Sequence, residues 1–147
     1  MPQWKIKAFK ELSLEELYEC LRLRSEVFIS EQNCVYNDVD NKDQVAFHLM
    51  GVENGKTVAY ARLFDQGKYF DLASIGRVVV AQDSRSKAYG HELMKEAISG
   101  IKTLFGSQRI KISAQLYLKK FYESHGFVAV GDQYLEDDIP HIQMIRD

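Results

Sequence analysis

Residues 75–90 read Ile-Gly-Arg-Val-Val-Val-Ala-Gln-Asp-Ser-Arg-Ser-Lys-Ala-Tyr-Gly, and their reading decides the fold. Ile75 to Ala81 is an apolar run broken only by Gly76 and Arg77, the pattern of a central strand covered on both faces. Arg85 to Gly90 is a turn of mostly small residues bearing two cations. Beyond it Leu93, Met94, Ala97, Ile98, Ile101, Leu104 and Phe105 keep helical period until Gly106 stops them. A buried strand that enters a helix through a basic turn is the centre of an α/β unit.

Working outward, Ala46 to Val52 and Thr57 to Phe64 predict two strands joined through Asn54-Gly55, a strong hairpin signal. Upstream, Trp4 to Phe9 alternates as a short strand does, and Ser13-Leu14-Glu15-Glu16 offers a capping box. Leu14, Leu17, Tyr18, Leu21 and Phe28 then place an apolar stripe on a helix running to about Ser30. Gln32 to Gln44 is polar and rich in Asn and Asp, which predicts a loop with at most a short helical turn. Downstream come a strand from Arg109 to Ala114 and a short helix carrying Tyr117, Phe121 and Tyr122, which Gly126 ends in the left-handed conformation. Two strands follow, about Val128 to Leu135 and Ile139 to Ile145. The expected architecture is α/β, a mixed central β-sheet with helices on both faces, in one domain spanning residues 1–147.

Composition narrows the function. The 147 residues carry a formal net charge of -2, so no overall positive field draws nucleic acid or an anionic membrane. No apolar run approaches a membrane span, and Met1 to Lys10 lacks the apolar core of a signal peptide, so a cytoplasmic protein is expected. Cys20 and Cys34 have neither metal-ligand spacing nor the density of a disulfide framework, and no metal is expected.

The basic turn invites an anion. The first N–H groups of a helix lack intrahelical partners and the macrodipole adds positive potential, so a pyrophosphate can sit there, with Arg85 and Lys87 adding charge-assisted contacts. A solvated helix start is the simpler alternative. Neither Gly-x4-Gly-Lys-Ser/Thr nor Gly-x-Gly-x-x-Gly occurs, which excludes a P-loop and a dinucleotide fingerprint.

Arg85-x-x-Ala88-x-Gly90 resembles the cofactor loop of the GNAT superfamily of N-acetyltransferases, Gln/Arg-x-x-Gly-x-Gly/Ala. Ala88 replaces the loop's first glycine, at little cost if φ there is negative and against steric resistance if it is left-handed. Phe121-Tyr122-Glu123-Ser124-His125-Gly126-Phe127 is similar to the family's Phe-Tyr-x-x-x-Gly-Phe segment. Phe28 to Tyr36 and Ile139 to Met144 resemble the ElaA-like group within it.

The resemblance implies acetyl-CoA as co-substrate and a small-molecule amine as acceptor, joined directly in a ternary complex. It also admits a homodimer. It implies that the central strand and the one after it splay apart, commonly at a bulge, so that the backbone of Val78, Val79 and Val80 pairs with the pantetheine arm. Ser86, Lys87, Ala88, Tyr89 and Gly90 would join Arg85 on the pyrophosphate, with Gln115 on the neighbouring strand. Tyr122 would protonate the departing thiolate, and His141 would take a proton from the amine. The plainer alternatives are a core tyrosine and a histidine satisfied by a backbone carbonyl. Arg24, Arg62 and Arg77 fall where this fold builds its acceptor cleft and suit a carboxylate on the acceptor, or else pair with Glu31, Asp40 and other acids of the 31–43 loop. Glu31 is a reserve base beside the acceptor. The acidic turn Glu136-Asp137-Asp138 is a solvated hairpin or a means of drawing a cationic amine toward His141. The rival to an enzyme is a module that keeps acetyl-CoA as a sensor without turnover.

Overall fold

Strands β2 (Phe47–Glu53) and β3 (Lys56–Phe64) alternate their side chains between two cores, and from this the layering of the molecule follows. Leu49, Ala59, Ala61 and Leu63 enter one core, whereas Met50 and Tyr60 enter the other. The computed structural model describes all 147 residues. It forms one seven-stranded mixed sheet in the order β1-β2-β3-β4-β5-β7-β6, completed by β1 (Gln3–Ala8), β4 (Ala73–Val80), β5 (Ile110–Gln115), β6 (Val128–Glu136) and β7 (Ile139–Arg146). Only β4 and β5 run parallel.

The two hairpin turns follow from their residues. Asn54 and Gly55 have φ of 54° and 74°, and Asp137 and Asp138 have φ of 51° and 62°. These are the positive angles that a two-residue turn requires and that Asn, Asp and Gly adopt most easily.

Helix α1 (Leu14–Arg24) starts at the expected capping box, where Glu16 N–H donates to Ser13 Oγ and Ser13 N–H to the Glu16 carboxylate. It continues through Glu31 as wider π-helical turns, Gln32 N–H reaching Val27 O and Cys34 N–H reaching Ile29 O, each at 3.1 Å. The inward face differs from the expected stripe. Leu14 and Tyr18 are 88% and 73% exposed, and Cys20, Leu23, Arg24 and Val27 are buried. Periodicity counts Arg24 as a surface residue, but ion pairing has made it part of the interior.

Helix α2 (Tyr89–Phe105) buries Leu93, Met94, Ala97 and Ile101 against the other face of the sheet. A Cβ on its Gly100 would lie 2.8 Å from Ile6 Cδ1, so this glycine sets how closely the helix approaches. The five-residue helix α3 (Lys119–Glu123) places Tyr122 in the same core, and Phe127 N–H turns back onto Tyr122 O past the left-handed Gly126. Helices thus cover both faces, as expected. No helix is long and apolar enough to cross a membrane.

Candidate active site

The β4–β5 ladder consists of Ala73 opposite Ile110 and Ser74 opposite Lys111, and stops there. Beyond Ser74 the strands separate. On the other edge of β4, Arg62 pairs with Gly76 but Tyr60 with Val79, so β4 holds one extra residue, and Arg77 within it has a φ of +50°. This is the expected bulge, and it turns β4 away from β5.

A cavity of about 740 Å³ fills the gap. Its walls are the backbone run from Ile75 to Val80, the end of the first helix at Val27 to Gln32, β5 with Ile112, Ser113 and Gln115, and the β6–β7 hairpin. Gln115 and Gln32 bridge the gap through reciprocal amide bonds of 3.2 and 3.3 Å.

Of the residues expected to hold a cofactor, Val78, Val79, Val80, Arg85, Gly90 and Gln115 line this cavity. Ser86, Lys87, Ala88 and Tyr89 do not. Lys87 lies 3.5 Å from Glu53, and Tyr89 is turned inward with its hydroxyl on the same carboxylate. What this turn offers is backbone. No side chain caps the N-terminus of α2, so its first N–H groups remain free of a side-chain acceptor. Ala88 has a φ of +61°, the left-handed case, in which a Cβ is held against steric resistance of about 1 kcal/mol. An elongated thioester with a pyrophosphate fits these features: an unpaired strand edge, a gap beside it, and an uncapped helix start at one end.

Tyr122 and His141 open on the same cavity, and each is 6% exposed. Burial raises the Tyr122 phenol well above its ordinary range, so the hydroxyl keeps its proton at neutral pH. His141 Nδ1 donates to Ile139 O at 2.7 Å, which leaves the lone pair of the neutral ring on Nε2, 3.5 Å from Glu136 Oε2. The imidazole stacks on Tyr134, whose hydroxyl is bonded to Ser113. Ser113 Oγ donates in turn to Glu136 Oε1 at 3.2 Å. Sequence reasoning passed over Ser113 and Tyr134. The hairpin register was the signal that could have found Tyr134, since pairing across Glu136–Ile139 sets it opposite His141.

The three arginines are a correction. Arg24 binds Asp38 at 2.9 Å and Asp43 at 2.8 Å, and Arg62 binds Asp40 at 2.8 Å and Asp43 at 3.1 Å. Both side chains are 1% exposed, and neither lines the cavity. Arg77 does line it, but it bonds to Asp38 at 2.9 Å, reaches Asp40 at 3.3 Å and lies over the Tyr36 ring. Three arginines and three aspartates neutralise one another, because a buried guanidinium must be paired. They fasten the 31–43 loop to the sheet and leave no cation free for an acceptor carboxylate. Burial works to raise the Asp40 carboxyl, but the hydrogen bond from Arg62 and the charges of Arg62 and Arg77 outweigh it and hold the group at about 2. His48, buried between Tyr60 and Asp43 O, belongs to the same packing. Glu31 lines the cavity, paired with Arg85 at 2.8 Å.

The acetyltransferase (GNAT) domain family matches residues 10–147. ElaA of Escherichia coli is 37% identical, the match covering 100% of this chain and 97% of that protein. A UPF0039 protein of Schizosaccharomyces pombe is 44% identical over 94% of this chain and 92% of its own. The crystal structure of an acyl-CoA N-acyltransferase from Pseudomonas aeruginosa superposes with a TM-score of 0.93 at 43% identity, covering 99% of each chain.

Proposed function

Since the chain belongs to the GNAT acetyltransferase family, we propose that it transfers an acetyl group from acetyl-CoA directly to the primary amine of a small molecule in a ternary complex. The observation that carries this reading is the gap between β4 and β5, onto which Tyr122 and His141 both open. A fold built only to retain a ligand requires neither group. The acetyl specificity, and a single domain working in the cytoplasm, belong to the same proposal. The free thiols Cys20 and Cys34 suit a reducing compartment.

Acetyl-CoA would supply the activated acyl group. Val78 to Val80 offer backbone groups to its pantetheine arm, and one N–H there would stabilise the negative charge that develops on the thioester oxygen. The start of α2 and Arg85 would hold the pyrophosphate, with Arg85 exchanging Glu31 for phosphate. His141 Nε2 takes a proton from the attacking amine as nitrogen bonds to the acetyl carbon. Tyr122 donates to the sulfur as the carbon–sulfur bond breaks. The products are an N-acetyl amide and CoA thiol, the proton lost by nitrogen balancing the one gained by sulfur.

The test is release of free thiol from acetyl-CoA in the presence of a panel of primary amines, with mass spectrometry of the amine product. The reading predicts one N-acetyl product per thiol. Binding of acetyl-CoA without thiol release on any amine would favour the sensor module and discard the enzyme.

A further inference from the structure

The cations that line the cavity already have carboxylates. Arg77 is taken by Asp38 and Asp40, and Arg85 by Glu31. The carboxylates of the β6–β7 hairpin have no such partner. Glu136 is met by a hydroxyl at 3.2 Å and by His141 Nε2 at 3.5 Å, and no lysine or arginine bridges to Glu136 or Asp137. A negative charge therefore remains where the hairpin enters the cavity. A second feature points to a ligand in the same cavity. Tyr122, more than nine-tenths buried, lines this cavity, and its hydroxyl has no hydrogen bond inside the chain.

Resting on the amine-acetylation reading above, the geometry points to an acceptor of one chemical class: a primary amine that carries no carboxylate beside it, with Glu136 as the residue that selects it. An aliphatic amine is protonated at neutral pH and enters as an ammonium. Glu136 Oε2 can accept an N–H bond from it; the ammonium loses one proton to solvent to become the neutral nucleophile, and His141 Nε2, 3.5 Å from that oxygen, takes the second as the nitrogen bonds to the acetyl carbon. An amino acid would bring its own carboxylate toward Glu136 and Asp137 with no free cation to receive it, and like charges repel. Arg24, Arg62 and Arg77, the arginines suited to an acceptor carboxylate, are those that the 31–43 loop neutralises.

The test compares 1,5-diaminopentane with lysine, which differ by a single carboxylate. Calorimetric titration into the CoA-loaded protein reads binding apart from turnover, and thiol release from acetyl-CoA reads turnover. Wild type should favour the diamine by about 5-fold or more in Kd, and Glu136→Gln should bring that preference close to one, since a half-exposed charge pair is worth about 1 kcal/mol. Glu136 is exposed at the hairpin, so the variant is expected to fold, which an unchanged melting temperature would verify. Equal affinity for the two ligands, or a preference that Glu136→Gln leaves intact, overturns the inference even if amines are acetylated. A Glu136-dependent preference with no thiol release upholds the selection of cationic amines and overturns the acetylation reading instead.

Discussion

At one end of the cavity the wall is main chain: the β5-facing edge of β4, unpaired beyond Ser74, the bulge at Arg77 and the uncapped start of α2. At the other end it is side chains joined across long stretches of sequence, the 31–43 loop pinned by Arg24, Arg62 and Arg77 and the hairpin holding His141 against Glu136. On the proposed reading the first end takes the co-substrate and the second the acceptor, and the difference teaches how one fold can keep the former while changing the latter. Backbone groups are insensitive to side-chain substitution, so a thioester site built from them persists; a site built from ion pairs is rewritten by changing a few residues.

The sharpest way to break the comparison is at Arg24. Replacing it with alanine leaves Asp38 and Asp43 buried without that charge, and the variant should lose about 3 to 5 kcal/mol of unfolding free energy in urea. If the two ends are separately built, the folded fraction should still bind acetyl-CoA with unchanged affinity. A loss below about 1 kcal/mol would mean that the network does not hold the loop.

A smaller effect is expected at Tyr122, which lines the same cavity. Tyr122→Phe removes one oxygen and little packing, so kcat should fall about 10-fold or more with the melting temperature nearly unchanged. An unchanged kcat would reduce Tyr122 to a core aromatic.

The smallest effect concerns the turn before α2. Ala88→Gly relieves a left-handed alanine and should raise stability by about 0.5 to 1 kcal/mol, while leaving turnover as it is. Destabilisation would show that the Ala88 methyl makes contacts worth more than the backbone strain.

The same contrast explains what the sequence made legible. Strands β2, β3 and β4, both tight hairpins and the Gly126 stop are local: alternation, Asn-Gly and a left-handed glycine each act within a few residues. The gap between β4 and β5, with a bulge as its device, followed from resemblance, and the structure sets that bulge at Gly76-Arg77, where the apolar run breaks. The inward face of α1 was not legible, because Arg24 is buried by aspartates 14 and 19 residues away, and charge alone cannot say which charges will meet. For the same reason Arg62 and Arg77, whose partners lie 22 and 39 residues away, read equally well as acceptor ligands or as loop anchors. Lys87 and Tyr89 carried the right chemistry for a pyrophosphate, but Glu53, on the β2 side of its hairpin, has taken both.

A crystal structure with CoA bound tests the central claim most directly. The account predicts the pantetheine arm in the gap beside β5, hydrogen-bonded to the backbone of Val78 to Val80, the pyrophosphate at the start of α2, and Arg85 turned from Glu31 to phosphate. CoA seated outside that gap, with β4 and β5 unchanged and Arg85 still on Glu31, would contradict it.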